Sequence, residues 1–150
     1  MRFLASILLP QLSGFVGSYF TVQAIPTWYM SLNKPSFSPP NWLFGPIWVI
    51  LYLLMGIALY LNWSKNTKQA KFNVQLFFIH LFFNLIWAPV FFGLKDIFLA
   101  LEIIIFLWAM IIVMIDKFWK VSRISSLLLV PYLLWVAYAS LLNYFLWKLN

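Results

Sequence analysis

Cysteine is absent from the 150-residue sequence, and acidic residues number only three. Without a thiol, the chain has no disulfide, no thiolate nucleophile and no cysteine ligand for a metal or haem. The acids Asp96, Glu102 and Asp116 stand far apart, so they form no paired-carboxylate site. No metal-binding, phosphate-loop or nucleophile-elbow motif is present either. The sequence therefore predicts neither a metal site nor a conventional hydrolase.

Charge is also scarce, because charged residues make up 9% of the chain and hydrophobic ones 65%. A water-soluble protein of this size could not cover its surface with such a composition. Most of the surface must therefore face lipid. Aromatic residues reach 21%, with nine tryptophans, and such rings gather at bilayer interfaces or line pockets for flat apolar ligands.

Five apolar stretches each approach the length of about 20 residues that a membrane-spanning helix requires. They cover residues 3–25, 42–62, 73–94, 97–116 and 125–147. The first stretch is too long for the apolar region of a signal peptide and reads better as a span. The later linkers are short, which predicts antiparallel neighbours. We expect an all-α integral membrane protein, a single five-helix transmembrane bundle over residues 1–150.

The first linker, residues 26–41, differs from the others because it is rich in proline and aromatic residues. These are Pro26, Trp28, Tyr29, Pro35, Phe37, Pro39 and Pro40. Such a stiff segment predicts a structured loop that acts as a lid, although a simple spacer would also accommodate the prolines. Pro89 and Pro131 predict kinks in spans three and five.

The net charge of +7 does not indicate nucleic-acid binding, because the basic residues lie in short clusters between apolar runs. If the amino terminus lies inside, seven of the ten fall on the inner face: Arg2, Lys65, Lys68, Lys71, Lys117, Lys120 and Arg123. The positive-inside rule therefore predicts that the first loop and the carboxyl terminus lie outside.

Polar and aromatic residues recur at helical spacing on three spans. The stripes are Phe44, Trp48, Tyr52 and Met55 on span two; His80, Asn84, Trp87 and Phe91 on span three; and Tyr132, Trp135, Ala139 and Asn143 on span five. At about 1.5 Å per residue, Trp48, Asn84 and Trp135 fall at depths in the half of the membrane nearest the lid. We expect a cavity there, lined by these spans and roofed by Tyr29, although aromatic stripes can also be simple packing. His80 either forms a structural hydrogen bond or contacts a ligand.

Two further patterns are less specific. Gly14 and Gly17 allow close helix approach, either inside the bundle or at a dimer seam. Leu142, Tyr144 and Lys148 fit a loose sterol-contact pattern, and an interfacial anchor explains them equally well. Glu102, near the start of span four, is either a functional intramembrane carboxylate or an interfacial one.

Together these motifs resemble the TspO/MBR family, which includes translocator proteins, tryptophan-rich sensory proteins and peripheral-type benzodiazepine receptors. The similarity rests on three groups of residues: Trp28-Tyr29, Lys34-Pro35, Pro39-Pro40, Phe44, Pro46, Trp48, Leu51-Tyr52 and Met55-Gly56; Asn84, Trp87 and Phe91-Phe92; and Pro131-Tyr132, Trp135, Tyr138-Ala139, Leu142-Asn143 and Trp147. Span four matches by hydrophobicity alone.

The resemblance implies a membrane receptor or sensor that is often dimeric. For this chain, the membrane that we expect is a bacterial cell membrane. The ligands of such a receptor would be porphyrins, including protoporphyrin IX and haem-like tetrapyrroles, and isoquinoline-carboxamide or benzodiazepine-type molecules. No cofactor would be required.

Carried over by residue, the ligand site comprises Tyr29, Trp48, Tyr52, Asn84, Trp135 and Ala139. Trp48 and Trp135 would be the catalytic pair in a light-dependent oxidative porphyrin degradation. A transporter of tetrapyrroles, lipids or sterols, or a scaffold whose aromatics only pack, are the alternatives.

Overall fold

The computed structural model describes all 150 residues and is built from helices joined by short turns. The helices are α1 (Arg2–Ala24), α2 (Phe44–Trp63), α3 (Lys68–Ala88), α4 (Ile97–Trp119), α5 (Arg123–Leu128) and α6 (Val130–Leu149). With their flanking turns they give five segments that are long and apolar enough to cross a membrane, and α5 and α6 together form the fifth. The predicted all-α, five-span architecture is confirmed.

Two prolines near the ends of spans widen the helix instead of terminating it. Pro26 and Pro89 each lie at the start of a single π-helical turn, Ile25–Tyr29 after α1 and Pro89–Gly93 after α3. Proline lacks an N–H and crowds the preceding turn, and a widened turn accommodates both effects. The first span therefore continues to Tyr29, and the expectation that the loop begins at residue 26 is wrong.

Pro131 occupies the first turn of α6, where a missing N–H costs little. The interruption in span five lies just before it, at Leu129, between α5 and α6. Elsewhere, side-chain oxygens cap the helix starts: Thr67 accepts from the backbone N–H of Ala70, and Asp96 accepts from that of Leu99. Asp96 thus has a structural role in the turn between α3 and α4.

The five spans pack side by side in a ring. The order around it is α1, α2, the α5–α6 span, α4 and α3, and α3 then returns to α1. Gly14 of α1 faces the ring of Tyr52, and Gly17 faces the methyl group of Ala88. Because a Cβ at Gly14 would collide with the Tyr52 ring, the small residues of α1 serve contact within the bundle.

The two ends of the bundle carry different groups. At one end, the Arg2 guanidinium donates to the carbonyl of Trp63, which places the amino terminus beside the turn between α2 and α3. At the other end, the Asn150 side chain accepts from the backbone N–H of Asn33 and donates to its carbonyl, both at 2.9 Å. The Tyr138 hydroxyl also donates to the carbonyl of Phe37 at 2.6 Å. The lid, residues 33–40, is therefore fastened to α6.

Candidate functional site: a cavity under the first loop

A cavity of about 740 Å³ lies within the bundle, in the half that carries the lid. This volume falls in the range of about 300–1,000 Å³ that small-molecule sites occupy. Its walls are mostly hydrophobic, and all six residues that the family resemblance implied for the ligand site line it: Tyr29, Trp48, Tyr52, Asn84, Trp135 and Ala139. One cavity thus brings together side chains from three separate spans and from the turn that ends the first span.

The cavity walls are formed largely by flat aromatic rings. Trp48 stacks on Tyr52 with ring centroids 5.4 Å apart and an angle of 28° between the planes. The Trp135 ring lies edge-on to the ring of Phe44, with the centroids 6.2 Å apart. Trp87 stacks on Phe91 at 5.2 Å. Extended aromatic surfaces of this kind suit a planar, largely apolar molecule.

Tyr29 closes the outer end of the cavity. Its side chain is only 2% exposed and packs against the rings of Phe44, Phe91 and Phe92 at 6.4, 6.4 and 5.8 Å. The Lys34 ammonium lies over the same ring, 4.8 Å from its centroid. Tyr29 occupies the roof position that the sequence predicted, whereas residues 33–40 do not line the cavity.

Asn84 is the hub of a buried polar network at the inner side of the cavity. Its Oδ1 accepts from the hydroxyls of Tyr52 at 2.8 Å and Ser13 at 3.3 Å. Its Nδ2 donates to the hydroxyl of Tyr132 at 2.9 Å, and this hydroxyl lies 2.8 Å from Nε2 of His80. Most of the hydrogen-bonding capacity of the Asn84 amide is therefore used by the protein, which leaves one N–H for a ligand.

His80 is completely buried and does not line the cavity. Its contact with Tyr132 joins α3 to α6, which fits a structural hydrogen bond between helices. The ligand-contact alternative for this histidine has no support from its position.

Two other polar atoms in the cavity-lining residues have no partner in the protein. The Tyr29 hydroxyl and the Trp135 indole N–H are both buried and unpaired. Buried polar groups are nearly always hydrogen-bonded, so these two donors are free to take a partner from outside the protein. Neither atom is accessible to water in this arrangement, so a small movement of its ring would be needed to bring it to an acceptor on a ligand.

Besides spans two, three and five, α1 and α4 also contribute to the cavity. The α4 residues Ile104 and Leu107 line it, as do Ser13, Gly14 and Gly17 of α1. The contribution of α1 could have been predicted from its small residues, since they leave space for a cavity as well as permit close helix contact. Nothing in the sequence of α4 marks the two residues that face inward, because the positions from Ile103 to Ile115 are all apolar.

The rim of the cavity lies on one side of the bundle only. The exposed residues of α1 among the lining set share one helix face: Leu8, Leu12, Phe15, Ser18 and Val22. The remaining exposed lining residues belong to α2 and the turn before it: Asn41, Trp42, Gly45 and Val49. No lining residue of α3, α4 or α6 is exposed. The opening is therefore the seam between α1 and α2.

The residues of the sterol-contact pattern lie on different sides of α6. Leu142 is buried and lines the cavity. Tyr144 and Lys148 are exposed on the outer face, with the ammonium 5.9 Å from the ring centroid. A sterol on the outside of the helix would therefore contact only the latter two. Glu102 is exposed and does not line the cavity.

Comparison with known proteins agrees with this architecture. The profile of the TspO/MBR family matches residues 6–148. The chain is 43% identical over 150 residues to the tryptophan-rich protein TspO of Archaeoglobus fulgidus, covering all of this chain and 97% of that protein. It is 44% identical over 141 residues to the TspO of Chlorobaculum tepidum, covering 91% and 88%. It is 36% identical over 146 residues to the translocator protein of Homo sapiens, covering 95% and 86%.

A five-span helical bundle with an aromatic cavity defines the class as an integral membrane protein of the translocator or sensory type. With a profile match over nearly the whole chain, this protein belongs to the TspO/MBR family.

Proposed function

We propose that the protein is a membrane receptor or sensor that binds porphyrin-type tetrapyrroles in the cavity beneath the first loop. Isoquinoline-carboxamide and benzodiazepine-type molecules, which are also flat and aromatic, would occupy the same site. The observation that carries this proposal is the aromatic cavity lined by all six of the expected residues. Its volume and its flat walls fit a planar ligand better than a flexible or highly charged one.

The unpaired donors of the cavity support the same ligand class. The Tyr29 hydroxyl and the Trp135 indole N–H need acceptors, and a porphyrin carries carboxylates while the synthetic ligands carry carbonyl groups. A hydrogen bond from a buried donor to such an oxygen orients the ligand and removes the cost of leaving the donor unpaired.

A slow light-dependent oxidation of bound porphyrin is a further part of the proposal. Trp48 and Trp135 are indoles in the cavity wall, and indole is the most easily oxidised uncharged side chain of this site. Dioxygen is the oxidant in this proposal. An illuminated porphyrin can pass its energy to dioxygen, or it can take an electron from an indole and pass that electron on to dioxygen, which leaves superoxide and an indole radical; in either case the activated oxygen then adds to the macrocycle. No cofactor is required, because the porphyrin is both the light absorber and the substrate.

The arrangement in the membrane follows from the distribution of charge. Seven of the ten basic residues lie at the end of the bundle that holds the amino terminus, so this end would face inward. The lid and the carboxyl terminus would then face outward, in a bacterial cell membrane. We also propose that the protein forms a homodimer, with membrane lipid on its remaining surface and a weak sterol contact at Tyr144 and Lys148.

The direct test is an equilibrium titration of the purified protein with protoporphyrin IX, read by tryptophan fluorescence. Saturable quenching with one site per chain is the expected result, because four tryptophans line the cavity: Trp42, Trp48, Trp87 and Trp135. Quenching that rises linearly without saturation would indicate a scaffold with no site. Protein-dependent flux of the porphyrin across sealed vesicles would favour the alternative, a transporter of tetrapyrroles, lipids or sterols.

A further inference from the structure

We infer that ligands enter and leave the cavity sideways, from the hydrocarbon region of the bilayer, through the seam between α1 and α2. The route to water under the lid is closed, whereas the route to lipid is open. The inference rests on the proposed function for its probe, a membrane-dissolved planar porphyrin. The inference goes beyond the proposed function, because the six residues of the ligand site do not determine the path by which a ligand reaches them.

The outer end of the cavity is blocked twice. Tyr29 fills it, with a side chain that is 2% exposed and packed among three phenylalanine rings. Above it, the lid is held to α6 by the paired hydrogen bonds between Asn33 and Asn150 and by the bond from Tyr138 to Phe37. A ligand entering from water would have to displace the ring and release the lid.

The lateral side of the cavity has neither of these two closures. Every exposed residue among those that line the cavity belongs to α1 or to α2 and the turn before it. Most of them are apolar, as a surface in contact with acyl chains must be. The α1 side of the opening runs from Leu8 to Val22, a rise of about 21 Å at about 1.5 Å per residue. Such a groove is longer than the hydrocarbon region of one leaflet, which is half of about 30 Å.

One hydrogen bond fixes the register of the two helices across the seam. Nε2 of Gln11 donates to the backbone carbonyl of Val49 at 3.1 Å. The helices α1 and α2 run antiparallel, so the chain approaches the lid along α1 and leaves it along α2. Phe15 lies four residues nearer the lid than Gln11, and Gly45 lies four residues nearer the lid than Val49. Phe15 and Gly45 are therefore at the same level. A Cβ added at Gly45 would meet no atom within 4 Å, and Phe15 is 75% exposed. Gly45 and Phe15 therefore border the open part of the seam.

Substitutions at these two positions should change the exchange rates in opposite directions. Gly45→Leu fills open space on a helix without a clash, so the protein should fold while the opening narrows. Phe15→Ala removes an exposed ring and widens the opening. Asn150→Ala is the matched lid variant, since Asn150 does not line the cavity and its side chain makes two hydrogen bonds to Asn33. The substitution also removes a bond from Nδ2 to the backbone carbonyl of Leu146 but leaves the Leu146 side chain in the cavity wall unchanged.

The experiment is stopped-flow mixing of proteoliposomes with vesicles that contain protoporphyrin IX, read by tryptophan quenching. We expect Gly45→Leu to slow association and dissociation together by about tenfold, Phe15→Ala to accelerate both, and Asn150→Ala to match the parent. Faster exchange in Asn150→Ala, with parental rates in Gly45→Leu, would overturn the inference and place the path under the lid. Absence of saturable quenching in the parent would instead refute the proposed function.

A second measurement tests the opening without any porphyrin. In protein labelled with fluorotryptophan, the Trp48 resonance is assigned by its loss in Trp48→Phe. Lipids with a nitroxide on the acyl chain should broaden this resonance in the parent and broaden it less in Gly45→Leu, whereas a water-soluble gadolinium chelate should have no effect. Broadening by the chelate alone would contradict a lateral opening.

Discussion

The hydroxyl of Tyr52 donates a 2.8 Å hydrogen bond to Oδ1 of Asn84, and this bond joins α2 to α3 at the inner side of the cavity. The same oxygen accepts from Ser13 of α1, and the amide nitrogen donates to Tyr132 of α6. One asparagine thus connects four of the five spans. The network sets the shape of the cavity before any ligand binds, since it fixes the wall on which Trp48 stacks.

Asn84→Ala should therefore lower the stability of the protein more than it lowers the affinity for a ligand. The substitution removes three hydrogen bonds between helices and leaves the hydroxyls of Tyr52 and Tyr132 without this partner. Interhelical hydrogen bonds in membranes are worth about 0.6 kcal/mol on average, so we expect a loss of about 1–3 kcal/mol in the free energy of unfolding. Denaturant unfolding in detergent micelles measures it. Unchanged stability with a large loss of ligand affinity would instead make Asn84 primarily a ligand contact.

Tyr29→Phe should have the opposite effect to Asn84→Ala, because it should lower ligand affinity without lowering stability. Its hydroxyl has no partner in the protein, so removing it should leave the free energy of unfolding unchanged or slightly higher. Protoporphyrin affinity should fall by about 0.5–1.5 kcal/mol, the net worth of one hydrogen bond, or roughly two- to thirteenfold. The control is Tyr60→Phe, outside the cavity. Equal affinities in the two variants would show that the Tyr29 hydroxyl does not meet the ligand.

The light-dependent reaction depends on the indoles of the cavity wall. The double substitution Trp48→Phe, Trp135→Phe keeps two aromatic surfaces but removes the oxidisable rings. The dissociation constant of protoporphyrin should stay within about tenfold, or about 1.4 kcal/mol, while the illuminated decay of bound porphyrin slows to that of free porphyrin.

Two controls accompany this experiment. Samples kept in the dark measure loss unrelated to light, and Trp63→Phe with Trp119→Phe removes two indoles outside the cavity. If the cavity double variant still binds porphyrin and degrades it as fast as the parent, the two tryptophans are packing residues and the protein has no such activity.

Much of the architecture was predictable because a bilayer imposes strong rules on sequence. The five spans follow from hydropathy and length, and residues such as Trp48, Asn84 and Trp135 converge because helical spacing and depth coincide. The widened turn at Pro26 was not predictable, since the same proline also fits a loop. The partners of Asn84 on α1 and α6 were also hidden, because they depend on how the helices rotate against each other.

Orientation can be measured by single-cysteine labelling, since the chain has no native cysteine. Ser36 in the lid and Asn66 in the basic turn are both exposed and lie at opposite ends of the bundle. An impermeant maleimide added to intact cells should label Ser36→Cys and leave Asn66→Cys unlabelled until the cells are opened. Labelling in the reverse pattern would show that the positive-inside assignment is inverted.

The most direct test of the central claim is to fill the cavity and measure binding. Ala139 lines the cavity, whereas Ala137, two residues earlier on α6, does not. Titrating Ala139→Phe and Ala137→Phe with protoporphyrin IX, beside the parent, compares the same change of volume inside and outside the site. We predict that affinity falls at least about tenfold, or about 1.4 kcal/mol, in Ala139→Phe and stays at the parental value in Ala137→Phe. Parental affinity in both variants would contradict the assignment of the ligand to this cavity.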